Sequence, residues 1–443
     1  MINRISIAFV TGVMFFAGAT SSAVAKPGFP RLGGVQNGSP FNYNDPAYQK
    51  QLARLDMTVL GMYPGLKPGG MSMNQVVSNI KSINPNTLVF LYVSANELGS
   101  SSVTGPAWDA VRAKMNAMNW WLHSSGRSGP IVASSYGANY QTINTTAFVP
   151  NDASGNDAME WMTRFFVDNY YKPNPSIDGF FMDNVFWKTR VAGDWNLSGS
   201  TESAGDTNAS AWLRQGYRRY FDLVKSLMPG KLQIGNIADL GDPKAVAPEL
   251  QGAMGGGVIE GLMGASYSVE TWGTWSQMMA WYRKSMAISA EPKLVVFNQK
   301  GSATDYQGLR YGLASCLMDD GYFAYTDSSK GYYGVTWFDE FDANLGQATS
   351  SPSTSAWQNG VYRRDFENGI ALVNPKGNGT VTVTLEQDYW RLSGKQAPSV
   401  NNGQVTRTVT LKDRDGIILL RSAGGSPSVS TARPAAPQSV VVE

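Results

Sequence analysis

The sequence predicts an α/β fold: a (β/α)8 TIM barrel followed by a small antiparallel β domain. Three observations carry that reading. Short apolar runs alternate with helical patterns over about 300 residues, the signature of a parallel sheet with helical crossovers. The runs number eight, the count that closes a barrel, and no Gly-x-Gly-x-x-Gly follows the first to favour an open doubly wound sheet. Beyond about Ser350 the apolar period drops from helical spacing to two.

The expected order begins with a leader. Met1 to Ala25 has one basic residue (Arg4), an apolar run centred on Ile5 to Ala19, and Ala23-Val24-Ala25 before a cut. That describes a secretory signal peptide; the run is too short and too rich in Gly, Ser and Thr for a membrane span. The mature chain is therefore expected to be secreted or periplasmic, without a membrane span. The barrel is expected over residues 26–350. Its strands are read at 31–36, 57–63, 88–94, 177–184, 232–236, 258–263, 294–298 and 322–326. Between them, Leu213, Tyr217, Phe221 and Val224 repeat at helical steps, as do Met278, Tyr282 and Met286. Thr304 with Gln307 reads as a capping box opening the helix of Leu309, Leu313 and Leu317. The polar stretch Ile131 to Gly155 reads as a functional loop, with Tyr136 or Tyr140 turned towards the site. Residues 351–422 carry the β domain, its hairpins marked by Asn368-Gly369, Asn378-Gly379 and Asp415-Gly416. The Ser/Pro/Ala-rich stretch 423–443 reads as a disordered tail.

Composition excludes whole classes of chemistry. Of 443 residues 42% are hydrophobic, enough for a large core. Lys+Arg 36 against Asp+Glu 34 leaves +2 and no basic stripe, so a nucleic-acid partner is not expected. One Cys (Cys316) and one His (His123) exclude disulfide scaffolds, Cys/His zinc sites and, within one chain, multi-His centres. A serine-hydrolase triad would need His123, which reads as a helix-terminal residue beside Trp120-Trp121. No cofactor is called for.

What remains is carboxylates. In barrel enzymes the reacting groups sit where the strands end. Walking those ends gives Glu97, Asp183-Asn184, Asn236, Glu260 and Asp327. Alternation puts Gly179, Phe181 and Asp183 on the inward side of the fourth strand, and Val258 with Glu260 on that of the sixth. Asp178 has the other parity and reads as a loop or cap residue at the strand's opposite end. Two carboxylates facing each other, one protonated and one ionised, are what glycoside hydrolysis needs. Asp183 and Glu260 are thus the catalytic candidates. Asn184 and Asn236 are candidate donors to Asp183, and they join Glu97, Asp327, Tyr63, Trp187, Trp272 and Trp275 as candidate substrate contacts. Two other readings stay open. One is a barrel that binds or assembles polysaccharide without cleaving it. The other is a hydrolase or lyase holding Mg or Ca through Asp and Glu oxygens.

At Ile177-Asp178-Gly179-Phe180-Phe181-Met182-Asp183-Asn184 the chain resembles a bacterial glycoside-hydrolase-like TIM-barrel family. That family is similar to the endo-α-1,4-polygalactosaminidases and more distantly to α-amylase-type barrels. Phe29-Pro30-Arg31-Leu32 and Leu91-Tyr92-Val93-Ser94-Ala95-Asn96-Glu97 support the resemblance. Tyr362 to Gly369 and Leu411 to Gly416 look like the β domain such proteins carry. The resemblance spans most of residues 29–422. It implies a secreted (β/α)8 barrel acting on polysaccharide; the expectation is an endo-acting glycoside hydrolase for a microbial polysaccharide or its oligosaccharides, working as a monomer. Asp183 would be nucleophile or base, and Glu260 the acid.

Overall fold

A computed structural model describes residues 26–38, 40–61, 67–100 and 106–423. The expected leader, Tyr63 and all but the first residue of the expected tail lie outside these. In chain order, β1 (Gly33–Gln36), β2 (Met57–Leu60) and β3 (Leu88–Val93) open the barrel. A separate three-stranded sheet follows, made of β4 (Glu97–Gly99), β5 (Ala133–Ser134) and β6 (Gly137–Thr142). The barrel then continues through β7 (Gly179–Met182), β8 (Leu232–Asn236), β9 (Gly256–Met263), β10 (Leu294–Gly301) and β11 (Tyr322–Asp327). These eight strands form one sheet in chain order, every neighbouring pair parallel. It closes where Leu32 bridges Phe323 in parallel, with the Phe323 amide donating to the Arg31 carbonyl.

The barrel fills as alternation demands. Met57, Val59, Phe90, Phe181, Ile234, Val258, Leu294, Val296 and Tyr322 form one interior cluster. Burying each large side chain contributes about 1.5–3 kcal/mol. Residues of the opposite parity, such as Phe180 and Met182, belong to the cluster under the helices.

The outer layer is α1 (Pro46–Ala53), α2 (Met73–Ile83), α3 (Pro106–Met118), α4 (Ala158–Phe166), α5 (Thr207–Leu227), α6 (Val269–Trp272), α7 (Trp275–Ile288) and α8 (Tyr306–Leu317). The apolar stripes of α5, α7 and α8 are buried as their spacing predicts. The cap of α8 is not the one expected. Asp305, not Thr304, accepts from the Gly308 amide, and the Thr304 hydroxyl pairs with Ser302. A carboxylate one residue closer to the first turn is the stronger acceptor there. Cys316, in α8, is buried with its sulfur 3.7 Å from the Tyr282 hydroxyl. His123 also differs from expectation. α3 ends at Met118, and His123 forms an isolated bridge with Ile131, its ring nitrogens held by Gly129 O and Asn119 Oδ1.

The β domain comprises β12 (Tyr362–Phe366), β13 (Gly369–Asn374), β14 (Val381–Arg391), β15 (Val405–Leu411) and β16 (Asp415–Leu420). Its five strands are antiparallel, ordered β12-β13-β16-β14-β15. It docks on α8 through β16. A Cβ at Gly416 would fall 2.5 Å from the Arg310 carbonyl, so only glycine permits this approach. Beside it Arg310 Nη2 meets Asp415 Oδ1 at 3.0 Å, both side chains nearly out of water. Removing one partner of such a pair strands the other charge. Asp415→Ala should therefore cost about 3–5 kcal/mol in urea or guanidinium unfolding.

Candidate active site

Three carboxylates converge at the C-terminal mouth of the barrel, each delivered by a strand end. Asp183 follows β7 directly. Its Oδ2 accepts from the Tyr92 hydroxyl at 2.5 Å, and its Oδ1 from the Asn184 amide at 2.9 Å and Asn236 Nδ2 at 3.1 Å. Glu260 lies on β9 where Phe297 pairs with Ile259 but Gln299 pairs with Met263, a bulge that opens beside Glu260. Gly261, at φ 71°, takes the left-handed turn this requires. Glu260 Oε1 accepts from the Tyr332 hydroxyl at 2.5 Å and Oε2 from Asn236 Nδ2 at 2.8 Å. One nitrogen thus serves both acids, so the two oxygens it contacts lie within about 6 Å of each other, inside the range of glycosidase pairs.

Glu97, at the start of β4, is tied in by Asn184. The Asn184 Nδ2 donates to Glu97 Oε1 at 2.9 Å, and the Ser134 hydroxyl donates to Oε2. Asn184 itself stands at φ 59°, a left-handed conformation that asparagine tolerates better than most residues. Its carbonyl accepts from Asn96 Nδ2 and the Tyr217 hydroxyl, and its Oδ1 from the Tyr136 hydroxyl at 2.7 Å. Every polar atom of the residue is engaged, which is how surrounding structure holds a strained backbone in place.

Burial is the main influence on these acids. It raises Asp183 above the usual carboxylate range, with the Glu260 charge adding to it and the Tyr92, Asn236 and Asn184 donors opposing it. Glu97 is pushed up to about 7, by burial first and by Asp183 as well, against the Ser134 and Asn184 hydrogen bonds. Near neutral pH Glu97 therefore exchanges its proton readily.

The expected contacts divide. Asn236 reaches Asp183 with its amide, whereas the Asn184 amide goes to Glu97 and only its backbone serves Asp183. Asp178 caps the far end, accepting from the Val89 amide and pairing with Lys81. Asp327 points into its own loop: it accepts from Ser329 and Thr336, and these bonds hold it below the usual range although burial opposes them. That loop carries Tyr332 to Glu260, so Asp327 supports the site from behind. Trp275 is core: its indole donates to Ser315 and its ring lies 4.4 Å from that of Tyr362. Trp272 is exposed, edge-on to Trp281, and Trp187 is half-buried with its backbone amide on Asp239. Tyr136, in the turn before β6, and Tyr140, on β6, both come to the mouth, so this part of the 131–155 segment walls it. Two partners carried no sequence signal of their role: Tyr332, in a loop after β11, and the small sheet that presents Glu97.

Cavities of about 230 and 220 Å³ flank the acids. The first is lined by Tyr92, Glu97, Trp108, Tyr140 and Phe166. The second is lined by Glu260, Tyr267, Asn298, Lys300, Thr326 and Tyr332. Among the described residues no group of three or more His, Cys, Asp or Glu side chains is arranged to hold a metal, and no helix is long and apolar enough to cross a membrane.

Residues 81–370 match the model of hypothetical glycosyl hydrolase family 15. The chain belongs to that family. No curated protein sequence matches it. Among solved structures, the glycoside hydrolase domain of PelA from Pseudomonas aeruginosa aligns at 14% identity and TM-score 0.40, over 69% of this chain and 97% of that one. An α-amylase from Malbranchea cinnamomea aligns at 11% and 0.47, over 89% and 98%. The cycloalternan-forming enzyme from Listeria monocytogenes aligns at 10% and 0.47, over 90% and 42%.

Within this family member Asn184 offers a clean test of stored strain. Asn184→Gly loses the side-chain bonds but keeps the left-handed turn; Asn184→Ala loses both. Alanine should be the less stable of the two by about 1–2 kcal/mol in chemical denaturation.

Proposed function

We propose that Asp183 and Glu260 are the catalytic carboxylates of a glycoside hydrolase acting within a microbial polysaccharide. The observation that carries this is the Asn236 amide nitrogen shared between them at the strand ends. In this reading Asp183 is the nucleophile. It accepts three hydrogen bonds, from Tyr92, Asn184 and Asn236, which fix the direction of its free lone pairs. Glu260 protonates the leaving oxygen and later activates water, with Tyr332 and Asn236 orienting it. A separation within about 6 Å lies nearer the retaining arrangement, about 5–5.5 Å, than the inverting one. Glu97 acts through Asn184 as a support for Asp183. Tyr136, Tyr267 and Trp272, exposed at 58%, 61% and 59%, give sugar rings faces to stack on. All three acids come from one chain, which supports action as a monomer. The leader-like Met1 to Ala25 supports export, and mass spectrometry of the N-terminus of protein recovered outside the cytoplasm should find residue 26 first.

The deciding experiment is product release from a panel of bacterial exopolysaccharides. Asp183→Asn should lower kcat by about a thousandfold or more while leaving binding measurable. Proton NMR of the first product should show the anomeric configuration retained. A barrel that only binds sugar would release nothing with either chain.

The pH dependence has a definite sign. Asp183 must be ionised to attack, so its titration sets the acid limb of kcat/KM. The Tyr92 hydroxyl lowers that pKa, and Tyr92→Phe removes it. The acid limb should then move to higher pH, with kcat/KM falling about tenfold at the optimum. A limb that stays in place would transfer the titration to another group.

A further inference from the structure

The donors that hold the three carboxylates are uncharged: Tyr92, Asn236, Tyr332, Ser134, and the amides of Asn184. A cation nevertheless enters the mouth. On β10, Leu294 and Val296 pack inside the barrel, and Asn298, bonded to Thr326, follows on the same side. Lys300 is next in that alternation and lines the 220 Å³ cavity together with Glu260. Its backbone is fixed, since a Cβ at Gly264 would fall 1.8 Å from the Lys300 carbonyl. The side chain is half-buried, and among the described residues it makes no hydrogen bond and no ion pair. Glu260 faces the same cavity, but its oxygens hydrogen-bond to Tyr332 and Asn236 and it forms no ion pair with Lys300. The 230 Å³ cavity has neither lysine nor arginine in its lining, and Arg190, which lines a smaller cavity beside Glu97, is already paired with Asp239.

Lys300 thus stands in a cavity wall with no ion-pair partner among the described residues. A neutral sugar would leave it so; an anionic one would complete it. We infer that the cavity beside Glu260 takes a sugar bearing an anionic substituent, a uronate carboxylate or a sulfate ester, with Lys300 as its counter-charge. This rests on the glycoside hydrolase reading and adds a direction to it. The anionic residue sits on the Glu260 side of the cleaved bond, because that is the cavity Lys300 lines.

The test is binding to the full chain carrying Asp183→Asn, so that it does not depend on turnover. Methyl glucuronide, glucose 6-sulfate and methyl glucoside are titrated by NMR, with Lys300 intact and as Lys300→Met and Lys300→Arg. With Lys300 an anionic sugar should bind about 10- to 100-fold tighter than methyl glucoside. Lys300→Met should collapse that ratio towards one, and Lys300→Arg should keep most of it. Added salt should shrink it. The tighter of the two anions identifies carboxylate or sulfate as the group. Equal binding of all three sugars, binding of none, or a preference that survives Lys300→Met overturns the inference. If the preference is present but no anionic or neutral polysaccharide is cleaved by the unmodified chain, the hydrolase reading fails and the anion site stands.

Discussion

A barrel of parallel strands closed on itself leaves inward-pointing side chains no solvent until the strands run out. The Leu32–Phe323 bridge that seals β1 to β11 enforces this here. Below the rim the inward positions are apolar, from Met57 to Tyr322. At the rim the same parity yields Asp183, Glu260 and Lys300. These three side chains are therefore aimed by backbone alternation first, and the two acids by hydrogen bonds second. The bulge at Glu260 and the left-handed Asn184 are departures from regular strand geometry, and both lie beside a carboxylate.

The choice of partners for those acids matters as much as their placement. Had arginine or lysine bridged Asp183 and Glu260, both would be held ionised well below neutral pH. Amides and hydroxyls stabilise a carboxylate less, so burial can keep Asp183 raised and bring Glu97 to about 7. Buried ion pairs such as Arg310–Asp415 and Arg214–Glu249 lie elsewhere. Arg190–Asp239 and Lys330–Asp327 pair near the mouth, but among the described residues no ion pair engages Asp183, Glu97 or Glu260 themselves.

Much of this was legible in the sequence because strands and parity are local. All eight barrel strands fall where apolar runs predict them, and Phe181 and Val258 point inward as alternation requires. Chemistry across loops was less legible. Tyr332 reaches Glu260 from 72 positions away, and no periodicity records which loop residue a capped turn will present. The β4–β6 sheet is too short and polar to show a period of two. Trp275 reads like an exposed platform from its Thr/Gly/Ser setting, yet a helix start can bury its first residue against another domain, here Tyr362. Thr304 and Asp305 both suit a cap, and only backbone geometry separates them.

The isolation of Cys316 has a practical side. Enclosure in α8 pushes its thiol up to about 12, so at ordinary pH it stays protonated and unreactive while the barrel is shut. The chain has no second sulfhydryl to confuse the signal. Alkylation of this one atom therefore reports how often the helix carrying the β domain lifts away from the barrel, making the protein its own clock for local opening.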